Sequence, residues 1–175
     1  MDSAPPAALI GTLSQLVPAL PALQVEALAR GFSRLTLTKG GTLLRQGDVW
    51  RQALWLERGT LRLYFTRRDG REFNKNFYLE GALLCPLTPA MWDAPSLFEI
   101  AAVEASTVWR ADAAAWRQAL DGAGQWAPLR TELLARLVSH KLQREHDLLT
   151  LDARRRYAAF CAREPALAER VPLLH

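Results

Sequence analysis

Side chains able to do chemistry are few in this sequence. The stretch FYLEGALLCPLTPAMWDAPSLFEIAAVEA, Phe77–Ala105, holds one thiol, Cys85, one indole, Trp92, the Ser96 hydroxyl and the Glu99 carboxylate, with no lysine or arginine among them. Such a loop gives an anion no counter-charge and suits a ligand that is mostly apolar or aromatic. Cys85 reads as a buried, inert thiol; its functional alternative, a redox sensor or a haem or metal ligand, needs electropositive neighbours that the local sequence lacks. His140 and His146 are six residues apart, so on a helix they point in different directions and do not share a metal. Two cysteines, Cys85 and Cys161, are too few for a disulfide scaffold or a four-thiolate cluster, which fits a reducing cytoplasm. No Gly-x-Ser-x-Gly, phosphate loop, metal motif or Cys/His/Asp set at a usable spacing is present, so catalysis is not expected. Two basic clusters remain. Arg67-Arg68 with Arg71 flanks Asp69-Gly70 and reads as an exposed turn. Arg154-Arg155-Arg156 reads either as a solvated helix face or as a sequence-blind contact to nucleic-acid phosphate.

Three segments must position these groups. Leu9, Leu13 and Leu16 recur at helical spacing, Pro18 and Pro21 interrupt, and Gln24–Arg30 resumes the pattern before Gly31, predicting one or two short helices. From Leu35 to Ala111 the runs LTLTKGGTLLRQGD, ALWLERGTLRLYFTRRDGREFNKNFYL and IAAVEASTVWRA are β-rich and broken by turn residues. Leu61, Leu63 and Phe65 alternate with Arg62 and Tyr64, the period of a half-buried strand, and Asp69-Gly70 marks a hairpin. Short strands at this spacing predict an antiparallel barrel or jelly roll. The patches around Trp50 and Trp55, and around Trp109 and Trp116, read as core or interface. From Ala113 the chain turns helical. AAAWRQALDG ends at Gly122 and Gly124, and the next helix runs from about Gln125 to Thr150 with Leu134, Val138, Leu142, Glu145 and Leu149 along one face. That is more apolar surface than a small barrel can cover, which predicts packing on a second copy; the alternative folds the helix back on its own barrel. ARRRYAAFCAREPALAERVPLLH reads as a last amphipathic stretch.

The 175 residues, half of them hydrophobic, suffice for a real core. There is no apolar run long enough for a membrane helix and no charged leader before the first apolar stretch, so a cytoplasmic protein without membrane contact is expected. A net charge of +4 permits an acidic partner without requiring one, because the basic residues are spread along the chain.

The order KGGTLLRQGD, GTLRLY, DGRE, FYLEG and a long helix resembles the cyclic-nucleotide-binding sensor domain of Crp/Fnr-type transcription regulators. Gly47 is similar to the glycine of that family's E-G-D turn, and Gly59 to the glycine opening its next strand. RRRYAAFCAREPALAERVPLLH resembles the approach to the family's winged helix-turn-helix. The resemblance implies a mainly β fold with flanking helices: an antiparallel double-stranded β-helix (jelly-roll) barrel, short N-terminal helices and a long C-terminal dimerisation helix. It implies a sensor domain over residues 1–122, the dimerisation helix over 123–151, and the start of a DNA-binding domain over 152–175. The sequence ends at His175, where the first helix of the DNA-reading pair would start, so these residues alone are expected not to read DNA. The Arg154-Arg155-Arg156 triplet would touch phosphate only beside a complete helix-turn-helix.

Cyclic-nucleotide binders of that family hold the phosphate with a cassette resembling G-E at its start and R-S or R-T at its end. Counted without gaps from Gly81, the first pair falls on Cys85 and Pro86 and the second on Ser96 and Leu97. Every charged member is missing, and Pro86 removes a backbone donor as well. A remaining ligand site would be lined by Leu84, Cys85, Trp92, Ser96, Phe98 and Glu99 and capped by His140, Lys141 and Arg144 of the long helix. The alternatives are a barrel filled by Trp92 and Phe98 that serves only as a dimerisation platform, and cAMP held by unfamiliar cations such as Lys141 or Arg144. A cupin-like enzyme would need clustered histidines that the barrel region lacks. No cofactor and no metal is expected; the expected partners are a second copy and an unidentified small molecule.

Overall fold

The computed structural model describes residues 4–171; the last four residues of RRRYAAFCAREPALAERVPLLH lie outside them. Two helices open the chain, α1 (Ala7–Leu16) and α2 (Ala22–Arg30). Pro6 and Pro21 stand immediately before them, where a fixed φ and a missing N–H cost nothing. Leu9 and Leu13 of α1 and Val25 and Ala29 of α2 are buried at the expected four-residue spacing.

Eight strands follow: β1 (Ser33–Leu37), β2 (Thr42–Leu44), β3 (Gln52–Arg58), β4 (Leu61–Thr66), β5 (Glu72–Tyr78), β6 (Leu83–Leu84), β7 (Glu99–Ala102) and β8 (Ser106–Asp112). They form two antiparallel four-stranded sheets, ordered β1-β8-β3-β6 and β2-β7-β4-β5, which is the expected jelly roll. Leu54, Leu56, Leu61, Leu63, Leu84, Ile100 and Val108 meet between the sheets as the core. Ala53–Leu56 of β3 is buried at every position, because Leu54 and Leu56 face the core while Trp55, paired with Trp109, donates its indole N–H to Thr12 Oγ1 of α1.

The run IAAVEASTVWRA divides into two strands that lie in different sheets. Val103–Ala105 carries the chain across, as Gly59-Thr60 does between β3 and β4. These two corners are clamped together: Val103 N–H donates to Thr60 O at 2.8 Å, and Thr60 Oγ1 to Glu104 Oε1 at 2.6 Å. Gly59 has φ +106, and a Cβ there would lie 2.1 Å from Ser106 Oγ, so no side chain fits at this corner.

The alternation along β4 also departs from the simple pattern. Tyr64 is more buried than Phe65, which instead stacks on Phe73 with ring centroids 5.2 Å apart. On the neighbouring strand the pairing jumps from Leu63↔Asn76 to Tyr64↔Asn74, which leaves Lys75 as an extra residue.

Helix α3 (Pro89–Asp93) sits between β6 and β7. Helix α4 (Ala113–Gly122) is capped by Asp112, whose carboxylate accepts from Ala115 N–H at 2.8 Å. Helix α5 spans Trp126–Thr150, and the chain divides into two bodies within it, after Leu129. Trp126 and Leu129 are buried in the first body. In the second, the final amphipathic stretch is not continuous: α6 (Ala153–Arg163) stops before Pro165, which starts α7 (Pro165–Arg170). Asp147 of α5 pairs there with Arg163 of α6 and accepts from Gln143 at 3.0 Å. Among the described residues no helix is long and apolar enough to cross a membrane.

Candidate ligand-binding site

The loop from β6 to β7 is built inward first. Leu84, Cys85, Pro86 and Leu87 are all buried. Desolvation alone pushes the Cys85 thiol up to about 12, which keeps it protonated and unreactive at neutral pH. Helix α3 then turns Met91 toward the core, and Leu87 N–H lies 3.5 Å from the Met91 sulfur. Trp92, one residue on, is directed elsewhere. Its ring meets Trp126 edge-on at 6.1 Å, within a chain of aromatic contacts that continues through Trp116 to Phe32.

The exit of the loop is clamped to the turn that follows β2. Gly47 N–H donates to Ser96 O and Ser96 N–H to Asp48 O, each at 2.8 Å, and Val49 bridges Pro95. The Ser96 hydroxyl is committed to the backbone of Phe98, donating to its O at 2.7 Å and accepting from its N–H at 3.1 Å. Phe98 packs against the core, whereas Leu97 is 73% exposed.

Glu99 pairs with Tyr64 across the strands and so shares its face, the one opposite Ile100 and the core. Tyr64 donates its hydroxyl to Glu99 Oε1 at 2.6 Å. Burial, and then this bond, raise the phenol to about 12. Arg62 lies 3.8 Å above the Tyr64 ring and pairs with Glu72 at 2.6 Å.

Of the residues singled out from sequence, Leu84, Cys85 and Phe98 are therefore on the interior side. Trp92 belongs to the aromatic chain, Ser96 to the clamp and Glu99 to the outer network. His140, Lys141 and Arg144 are exposed on α5, in the second body. Arg154 and Arg155 are exposed on α6, Arg155 beside Asp152 at 3.8 Å, while Arg156 donates to Leu151 O at 2.7 Å.

Two cations reach the loop's aromatic rings from outside it. Lys75, the extra residue of β5, places Nζ 3.7 Å from the Phe98 ring, and Arg117 of α4 lies 5.3 Å from the Trp92 ring. Sequence reasoning missed both, since neither is near the loop in sequence; the only trace of Lys75 is its place in a polar break, Asn74-Lys75-Asn76. Near the Trp50 end of the core, Leu43, Leu44 and Leu54 border a cleft of about 160 Å³, below the range of pockets that enclose a drug-sized guest. Among the described residues no three His, Cys, Asp or Glu side chains are grouped to hold a metal.

Residues 34–122, half of the chain, match the cyclic nucleotide-binding domain family. Among solved structures, the Thermus thermophilus catabolite activator protein is similar with a TM-score of 0.62 at 22% identity, over 77% of this chain and 62% of that one. The sensor domain of the transcriptional regulator DNR from Pseudomonas aeruginosa gives 0.60 at 24%, over 81% and 94%. A CooA mutant from Carboxydothermus hydrogenoformans gives 0.59 at 19%, over 83% and 92%. At these identities the likeness speaks for the fold. The chain spans less than two thirds of the first of these proteins. No curated protein matches the sequence.

Proposed function

This chain belongs to the cyclic nucleotide-binding domain family, and from that premise we propose that it is the sensing and dimerising part of a Crp/Fnr-type transcription regulator whose barrel does not take cAMP in the usual way. It works in the cytoplasm by binding, not by catalysis. Its ligand is a largely apolar or aromatic small molecule with one or two polar handles.

One observation carries this reading: residues 85–98 contain no cation, and the environment at Cys85 penalises charge. The position that resemblance gives to the phosphate-binding arginine holds Ser96, whose hydroxyl is already engaged with Phe98. Losing one partner of a buried, hydrogen-bonded charge pair costs on the order of 2–5 kcal/mol, roughly 30-fold to several thousand-fold in affinity. The exposed apolar side chains of α5, Val138, Leu142 and Leu149, support pairing with a second copy. In a longer regulator, ligand binding would favour one pairing of these helices over another and so set the DNA readers, with the exposed Arg154 and Arg155 placed to meet phosphate, Arg155 by giving up its pair with Asp152.

A second reading is a ligand-free dimerisation platform. It is favoured by Met91 and Phe98, which pack on the core from the loop itself.

The test is isothermal titration of the protein, at about 100 μM, with cAMP. No heat is expected up to millimolar nucleotide. A micromolar dissociation constant would overturn the proposal and direct attention to Lys75 as the replacement cation. Solvent extraction and mass spectrometry then separate the two readings. A stoichiometric apolar cargo supports the sensor, and a dimer that stays cargo-free on purification and on exposure to cell extract supports the platform.

A further inference from the structure

Strand β7 pairs with β4 only as far as Tyr64, so beyond that point β4 has β5 as its one strand partner among the described residues. Residues 65–73 therefore run on as a two-stranded ribbon closed by the turn at Asp69-Gly70. Two backbone bonds close the turn, Arg67 N–H to Arg71 O and Gly70 N–H to Arg67 O, each at 2.9 Å. At the base, Phe65 stacks on Phe73, and Gln46 from the turn after β2 grips Thr66 with both ends of its amide. Its Nε2 donates to Thr66 O at 3.3 Å and its Oε1 accepts from Thr66 N–H at 2.9 Å. A ribbon held in this way gives up little freedom on meeting a partner.

The side chains of the turn are mostly cationic. Three of the five residues from Arg67 to Arg71 are arginines, and residues 67–73 are all exposed. Nearby acids leave part of this charge uncompensated. Glu72 is taken by Arg62 at 2.6 Å, and Asp69 accepts from Arg71 N–H at 3.1 Å while its other oxygen lies 4.0 Å from the Arg71 guanidinium. Among the described residues Arg67 and Arg68 form no ion pair; Arg67 lies 5.8 Å from the Phe73 ring. Two arginines are left for an anionic partner. Shape and composition select its class. The DNA major groove admits a two-stranded β-ribbon, and guanidinium forks match phosphate oxygens. A lipid surface would call for an apolar side chain at the turn, and residues 67–71 contain none.

We propose that the β4–β5 ribbon is a contact for double-stranded DNA, with Arg67 and Arg68 on backbone phosphates and no reading of sequence. The contact does not depend on what the barrel holds, so the cAMP titration leaves it standing either way. It is also separate from Arg154 and Arg155, which belong to the second body.

The test measures binding of the full chain to a fluorescein-labelled DNA duplex of arbitrary sequence, by anisotropy over a range of salt concentrations. Arg67→Gln combined with Arg68→Gln should lower affinity at least about tenfold at low salt. It should also make the log–log salt dependence shallower by about 1.8, since each lost phosphate contact removes about 0.9. The same drop is expected in a chain that already carries Arg154→Gln and Arg155→Gln. Asp69→Asn keeps an acceptor for Arg71 N–H and removes the carboxylate of the turn, so it should tighten binding about threefold. All of these positions are exposed, and matched melting temperatures verify folding. No duplex binding at low salt, or an unchanged slope in the ribbon variant, would overturn the proposal. Sedimentation with phosphatidylglycerol vesicles covers the other class of partner. Vesicle binding that the ribbon variant loses, without duplex binding, would overturn the assignment to nucleic acid.

Discussion

The two bodies of this chain satisfy their apolar residues in different ways. In the barrel, Leu56, Leu61, Ile100 and Val108 have no exposed surface at all, and even the corners between sheets are closed by Thr60 and Glu104. Beyond Leu129, Val138, Leu142 and Leu149 of α5 are 51%, 61% and 79% exposed, and the contact between α5 and α6 rests on a polar group, Asp147. The barrel is complete within one chain. The apolar face of α5 has no cover in its own body, and a helix with such a face is stabilised mainly by what packs on it.

The contrast breaks most visibly in the core. Leu56→Ala should destabilise the barrel by about 2–5 kcal/mol, because the sheets on either side cannot collapse onto the space. Calorimetry would check this, and a change under ~1 kcal/mol would mean that the core is looser than its burial implies. Leu142→Glu tests the other side. It should weaken self-association at least about 30-fold in sedimentation experiments while leaving the barrel's melting temperature unchanged. An unaffected dimer would place the contact on another surface.

The smallest effect is local. Hydrogen bonds from Arg163 and then from Gln143 hold the Asp147 carboxyl below its ordinary range. Its contribution is therefore fully present above the unfolded value of about 3.9 and is lost as pH falls through the lower folded value. Asp147→Asn at neutral pH, and acid in the unaltered protein, should both speed amide exchange in α6 beyond its intrinsic pH dependence. Equal protection in the variant would show that the pair does not hold α6.

Much of this was legible in the sequence because it depends on near neighbours. The Asp69-Gly70 hairpin forms with Gly70 at φ +82, and the long helix begins at Trp126 and ends at Thr150, within a residue of expectation. What sequence periodicity could not reach depends on partners far along the chain. Only the cross-strand register turns Glu99 toward Tyr64 and away from the core. Lys75, the extra residue in β5, meets the ring of Phe98, which lies beyond β6 and α3 in the chain. Trp92 reads as pocket lining or filling until the first turn of α5 supplies Trp126 as its neighbour. The division of IAAVEASTVWRA at Val103–Ala105 is hidden for a related reason: a chain that changes sheets keeps its β-rich composition while doing so.

The distribution of aromatic residues has an optical consequence. All six tryptophans lie at or before Trp126, so every indole chromophore belongs to the first body. Emission excited at the red edge of the indole band therefore arises within the first body, since no indole lies on α6 or α7. Far-ultraviolet dichroism, weighted toward helix, sees the 25 residues of α5 together with α6 and α7. Non-coincident denaturation curves from the two probes would be the signature of two bodies that melt separately, read from the unmodified protein without an added label.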